Sequence, residues 1–101
     1  MVAPVRHEAE MRGLSLDEGA ALFGGLQRAT AALRDAIHPE AFNIGANIGR
    51  EAGAGVPGHL HFHAVPRWGG DTNFMTSLAE VRVIPEDLHT TWQKLRATWP
   101  A

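Results

Sequence analysis

His59, His61 and His63 occupy alternate positions in the run HLHFH, and this spacing sets three imidazoles on one face of an extended strand, neighbours about 7 Å apart. An unperturbed imidazole titrates near pH 6.5, so at neutral pH one ring can act as an uncharged nucleophile while another donates a hydrogen bond or carries a proton. That division of labour suits attack on a phosphate. Charge developing on the phosphoryl oxygens needs donors, which exposed backbone N–H groups of a glycine-rich loop can supply. Such a loop leads directly into the histidines: residues 49–58 read GREAGAGVPG, with Gly55 near the middle.

The same row could instead grip a metal ion, because histidine is a common ligand and a strand can direct two imidazoles to one cation. Glu51 and Asp71 are the carboxylates that could complete such a site from the flanking loops. The chain has no cysteine and the row contains no carboxylate, so no metal and no other cofactor is expected. Trp68, beside Arg67 after the row, could stack on a base or cap the core. Asp71 and Asn73 could hydrogen-bond a ligand or shape a turn.

The elements that must hold these residues are legible in the periodicity. Ser15 followed by Glu18 is a capping-box pattern, and Leu16, Ala20, Phe23, Leu26, Ala29, Leu33 and Ile37 then recur at helical spacing. They predict one amphipathic helix over 16–37, weakened locally by Gly24 and Gly25 and ended by His38 and Pro39. Phe42, Ile44, Ala46 and Ile48 alternate with Asn43, Gly45, Asn47 and Gly49, the pattern of a strand with one buried face. A second strand starts at His59 and is closed by Pro66, so the two predict a hairpin around the glycine-rich loop. From Pro85 to Trp99, Leu88, Trp92, Leu95 and Trp99 mark a second helix, with both tryptophans read as core. The fold class is α+β.

A chain of 101 residues forms one small domain, 1–101, with a modest core. Its net charge of −2 and pI near 6.3 lack the basic surplus that binds nucleic acid, yet leave room for a small phosphorylated ligand. No apolar run reaches the length of a signal-peptide core or a membrane span. With cysteine absent, a cytoplasmic setting and no membrane partner are expected.

GHLHFHAVPRW resembles the signature of the histidine triad family, His-x-His-x-His followed by two apolar residues, here His59, His61, His63, Ala64 and Val65. The resemblance runs back through FNIGANIGREAGAGVPG to PVRH, residues 4–7, the segment that brings in a fourth histidine in such proteins. RWGGDTNFM is similar to bacterial members that act on diadenosine polyphosphates, sometimes by phosphorolysis.

The resemblance implies a HIT-like antiparallel sheet with one long helix and a C-terminal helix. It implies that His61 is the nucleophile and forms a nucleotidyl-histidine that water or phosphate resolves. His63 would contact the phosphate, His59 would orient the nucleophile, Asn47 would bind near the ribose or phosphate, and His7 would be the fourth histidine. The implied substrate is an adenosine-containing nucleotide, and the implied assembly a homodimer formed through the helix. Two departures stand out. Val56 occupies the position where members often carry Ser or Thr, and the chain begins almost at the PVRH segment, whereas the family's domain usually opens with a helix and two strands that line the base and ribose pocket. It therefore reads as N-terminally truncated, with an uncovered sheet edge. Its alternative reading is a nucleotide-binding or interaction module without turnover.

Overall fold

A computed structural model describes residues 1–70 and 87–100. The long helix α1 spans Leu16–Ile37, as its end signals predict. Ser15 Oγ accepts from the Glu18 backbone N–H at 3.0 Å, and the Glu18 carboxylate accepts from the Ser15 N–H at 2.9 Å, so two otherwise orphaned donors are satisfied reciprocally. At the other end His38 turns left-handed, with φ of 50°, and donates to the Arg34 carbonyl; Pro39 follows and cannot continue the helix.

The buried side of α1 departs from the expected stripe in the first turns of the helix; further on, Leu26 is buried and Ala29, Leu33 and Ile37 are half-buried, as expected. Leu22, Gly25, Leu26 and Ala32 are buried, whereas Leu16 is 93% and Phe23 64% exposed. Residues 1–6 and the second helix pack on the Leu22–Gly25–Ala32 side, while Leu16 and Phe23 are left mostly exposed among the described residues. Spacing alone did not distinguish the two stripes, because α1 carries apolar residues on both.

Gly25 has a packing reason. A Cβ built there would lie 2.9 Å from Val2 Cγ1, whereas one at Gly24 meets only the end of Arg28, at 3.7 Å. Both sit inside a helix, where Ala is favoured over Gly by about 1 kcal/mol. Gly24→Ala should therefore raise the thermal midpoint, while Gly25→Ala should lower it, because overpacking costs about 1–3 kcal/mol. Thermal unfolding of the two variants checks the contrast.

Strands β1 (Ala41–Gly45) and β2 (His63–Arg67) pair antiparallel, from Ala41 opposite Arg67 to Gly45 opposite His63. The expected hairpin is present, but β2 begins four residues later than expected and runs through Pro66. The alternation of the ladder explains this tolerance. Phe62 exchanges both backbone hydrogen bonds with Val2, at 2.8 Å each, on the edge away from β1. Pro66, four residues on, faces that same edge, so its missing N–H removes no bond to β1. On that edge the described pairing is the single bridge between Val2 and Phe62. The expected buried face of β1 is only partly covered: Phe42 is half-buried and Ile44 is 52% exposed.

The second helix, α2, spans Leu88–Thr98 and is capped by Asp87, whose carboxylate accepts from the Thr90 N–H at 2.7 Å. Pro85, read as its start, lies outside the described residues. Helix α2 packs against α1, where Thr98 Oγ1 donates to the Ala32 carbonyl at 3.0 Å. Trp92 and Trp99, expected in the core, are 51% and 47% exposed. Trp92 stacks instead with His89 and lies under the Arg96 guanidinium. The apolar core among the described residues is small: Leu22, Leu26, Ala32 and Leu60. No described helix is long and apolar enough to cross a membrane.

Candidate active site

The histidines gather where the start of the chain crosses the entry to β2. His59 is half-buried, and its Nε2 lies 2.9 Å from the Pro4 carbonyl oxygen. A carbonyl only accepts, so Nε2 carries the proton. The His7 ring stacks on the His59 ring, centroids 4.6 Å apart and planes 26° from parallel. The fourth histidine expected from PVRH is therefore in contact with the first histidine of the row.

His61 makes the contact with the most chemical content. Its Nδ1 lies 3.2 Å from the His59 carbonyl oxygen, which again can only accept. The proton of the neutral ring sits on Nδ1, and Nε2 keeps its lone pair. Such a ring is a nucleophile at Nε2, and the same carbonyl stabilises the charge on Nδ1–H once Nε2 is substituted. His63, the first residue of β2, lies across from Gly45, and a Cβ at Gly45 would sit 3.8 Å from His63 Nε2. Glycine there leaves the approach to the His63 ring open.

Asn47 is exposed beside the loop: a Cβ at Gly53 would lie 3.6 Å from its Nδ2. Continuing the β1–β2 register by two residues aligns Asn47 with His61. The loop is not featureless, for Arg50–Ala52 forms a single 3-10 turn. Its conformational demand for glycine falls on Gly49 and Gly53, with φ of 86° and 93°. Gly55 is exposed with open space around it and no such demand. Val56, which stands where family members often carry Ser or Thr, is 59% exposed.

Trp68 is not brought to the histidines. It follows the last residue of β2, while His61 and His59 lie seven and nine residues before it, about 23 and 30 Å along a fully extended chain. It lines a separate hollow with Glu40, Phe42 and Asn43. Nor does the cleft of about 750 Å³ between residues 1–6, α1 and Trp99 contain any of the histidines. Among the described residues, no group of three or more His, Asp or Glu is arranged to hold a metal ion. Asp71 and Asn73 lie outside them.

The contacts that sequence reasoning missed come from residues 4–8. The Pro4 carbonyl receives His59, and the Glu8 carbonyl accepts from the Leu60 N–H at 2.6 Å. Backbone acceptors leave no mark in residue type, so only the PVRH resemblance pointed to this segment. Arg6 joins it to α1 through Glu18, and also bonds Glu8 and the Gly13 carbonyl. Its bonds to Glu18, with the Ser15 N–H next in weight, draw the Glu18 carboxyl down from its ordinary 4.5 to about 2. The Glu10 N–H and then Arg6 lower that of Glu8. A carboxylate lowered in the folded state contributes above its ordinary range and is lost as pH falls through its folded value. Acidification from pH 4.5 towards about 2 should therefore release residues 4–8 from α1, seen as a titrating Ser15 amide resonance in NMR spectra.

The HIT domain family model matches residues 1–70. Over 99 residues the chain is 40% identical to the AP-4-A phosphorylase of Mycobacterium tuberculosis, covering 98% of this chain and 51% of that protein. A HIT-like protein of Saccharolobus solfataricus is 32% identical over 75 residues, which are 74% of this chain and 53% of that one. The chain thus spans about half the length of the curated relatives it matches. Among solved structures, a zinc-bound histidine triad family protein of Mycobacterium smegmatis superposes with a TM-score of 0.68 at 28% identity, covering 92% of this chain and 62% of that one. A HIT family member of Bacillus subtilis gives 0.60 at 24% identity, covering 95% and 69%. With the histidine row, its loop and the PVRH segment all inside the matched residues, this chain belongs to the HIT domain family.

Proposed function

We propose that this protein is a nucleotide hydrolase or phosphorylase that cleaves a phosphoanhydride or phosphoramidate bond through a nucleotidyl-histidine on His61. The observation that carries the reading is the hydrogen bond from His61 Nδ1 to the His59 carbonyl, which leaves Nε2 as the free base. With diadenosine tetraphosphate, Nε2 forms a bond to an outer phosphorus, the bridging P–O bond breaks, and ATP departs. Water then attacks the adenylyl-histidine to give AMP, or phosphate attacks to give ADP; either restores His61.

The supporting residues divide as the geometry suggests. His59, fixed by Pro4 and stacked on His7, orients His61; His63, opposite Gly45, contacts the phosphate. Asn47 binds at the ribose or phosphate, and the loop with Gly55 contributes backbone N–H donors. Trp68 can stack on a base only at the far end of β2, so in one subunit it would serve a group remote from the reacting phosphate. The relative named AP-4-A phosphorylase supports an adenosine-containing substrate.

A homodimer joined through α1 would cover Leu16 and Phe23. Sedimentation as a monomer at all concentrations would reject that assembly.

The activity is tested by incubating the chain with diadenosine tetraphosphate, with and without phosphate, and resolving the products. AMP with ATP marks hydrolysis, and ADP with ATP in the presence of phosphate marks phosphorolysis. Saturable binding with neither product would overturn the enzyme reading in favour of a nucleotide-binding module.

A further inference from the structure

Arg6 touches none of the histidines, yet it fastens the segment that does. Its Nε and Nη2 make a two-point bridge to the Glu18 carboxylate at 3.0 and 2.9 Å, Nη2 also donates to the Gly13 carbonyl at 2.9 Å, and Nη1 reaches Glu8 Oε1 at 3.2 Å. Glu18 is itself fixed, because the same carboxylate closes the capping box of α1. One face of residues 4–8 is therefore anchored to the start of a 22-residue helix.

The other face meets the histidine row at three points. The Pro4 carbonyl takes the His59 Nε2–H, the Glu8 carbonyl takes the Leu60 N–H, and the His7 ring lies on the His59 ring. Between the two carbonyls sits Arg6. From His59 the path needs one more contact, the bond from His61 Nδ1 to the His59 carbonyl.

We propose that Arg6 is a positioning residue: by fixing residues 4–8 against α1 it sets His59, and through the His59 carbonyl it holds His61 in the Nδ1–H form. The functional consequence rests on the reading of His61 as nucleophile; the positioning itself does not. Arg6 is half exposed, and exposed ion pairs add little to global stability, so its loss falls on the geometry of residues 4–8 more than on folding. Lysine is a poor substitute. It presents one charged nitrogen where the planar guanidinium meets a carboxylate at two points and a carbonyl at a third.

The test is a long-range proton–nitrogen correlation spectrum of the full chain with ¹⁵N-labelled histidine, at a pH where the rings are neutral, alongside turnover. In wild type, His61 should give the Nδ1–H pattern and His59 the Nε2–H pattern. In Arg6→Met, His61 should shift to the mixed pattern of a free imidazole, dominated by Nε2–H, with kcat down about 10- to 100-fold and KM changed less than threefold. Arg6→Lys should fall between. Glu18→Gln, which keeps an oxygen for the Ser15 N–H but loses the charged partner, should move the His61 pattern in the same direction and serves if Arg6→Met does not fold. A folded Arg6→Met or Glu18→Gln variant with wild-type tautomers at both histidines would overturn the proposal. Shifted tautomers in a chain whose wild type has no turnover would uphold the positioning and reject the enzyme reading alone.

Discussion

Replacing His61 with alanine should lower turnover of diadenosine tetraphosphate by a factor on the order of 10⁴ or more, with the fold retained. The magnitude is that of losing a covalent nucleophile, for which neighbouring donors compensate little. The fold should survive because His61 is only half-buried and its single described hydrogen bond goes to a carbonyl that solvent can satisfy. Glutamine at position 61 could keep a donor to that carbonyl and would still lack the imidazole lone pair, so it should be as inactive as alanine. A loss below tenfold in either variant, measured beside an unchanged circular dichroism spectrum, would mean that another group attacks phosphorus.

Leu60→Ala should be the most destabilising truncation in the row, by about 2–5 kcal/mol. Leu60 is 3% exposed and is one of the four residues that form the apolar core among the described residues. Small domains hold stabilities at the low end of roughly 5–15 kcal/mol, so a cavity of this size removes a large part of the margin. The consequence reaches the site, because Leu60 separates His59 from His61 and its N–H bonds the Glu8 carbonyl. Chemical denaturation should show the midpoint falling well below that of His61→Ala. Equal midpoints would show that the Leu60 side of the sheet contributes little to the core.

How much of this was legible in the sequence follows from which interactions are local. The bounds of α1 could be read because the Ser15–Glu18 cap and the His38–Pro39 stop are short-range signals. Its buried side could not, since the choice between the Phe23 and Leu22 sides depends on where residues 1–6 and α2 pack. The histidine row was legible as a row, but its regularity as a strand was not. His59 and His61 precede β2 and are held by side-chain bonds to carbonyls rather than by a continuous ladder. The fourth histidine was reached through the PVRH resemblance, and the stack of His7 on His59 gives that resemblance a physical content. Arg6 was passed over because its partner lies twelve residues away, and pairing at that distance has no periodic signature. The tryptophans of α2 were misread for a related reason: a helical stripe of aromatic residues looks the same over a deep core as over a shallow one.

The measurement that bears most directly on the chemistry is intact-protein mass spectrometry after brief incubation with diadenosine tetraphosphate or an adenosine phosphoramidate, comparing wild type with His61→Ala. The expected result is a gain of one adenylyl group in wild type and none in the variant, with the adduct lost on adding phosphate or on longer incubation. An adduct that persists in His61→Ala, or its absence from a folded and trapped wild-type protein that turns the substrate over, would contradict a nucleotidyl-histidine at this position.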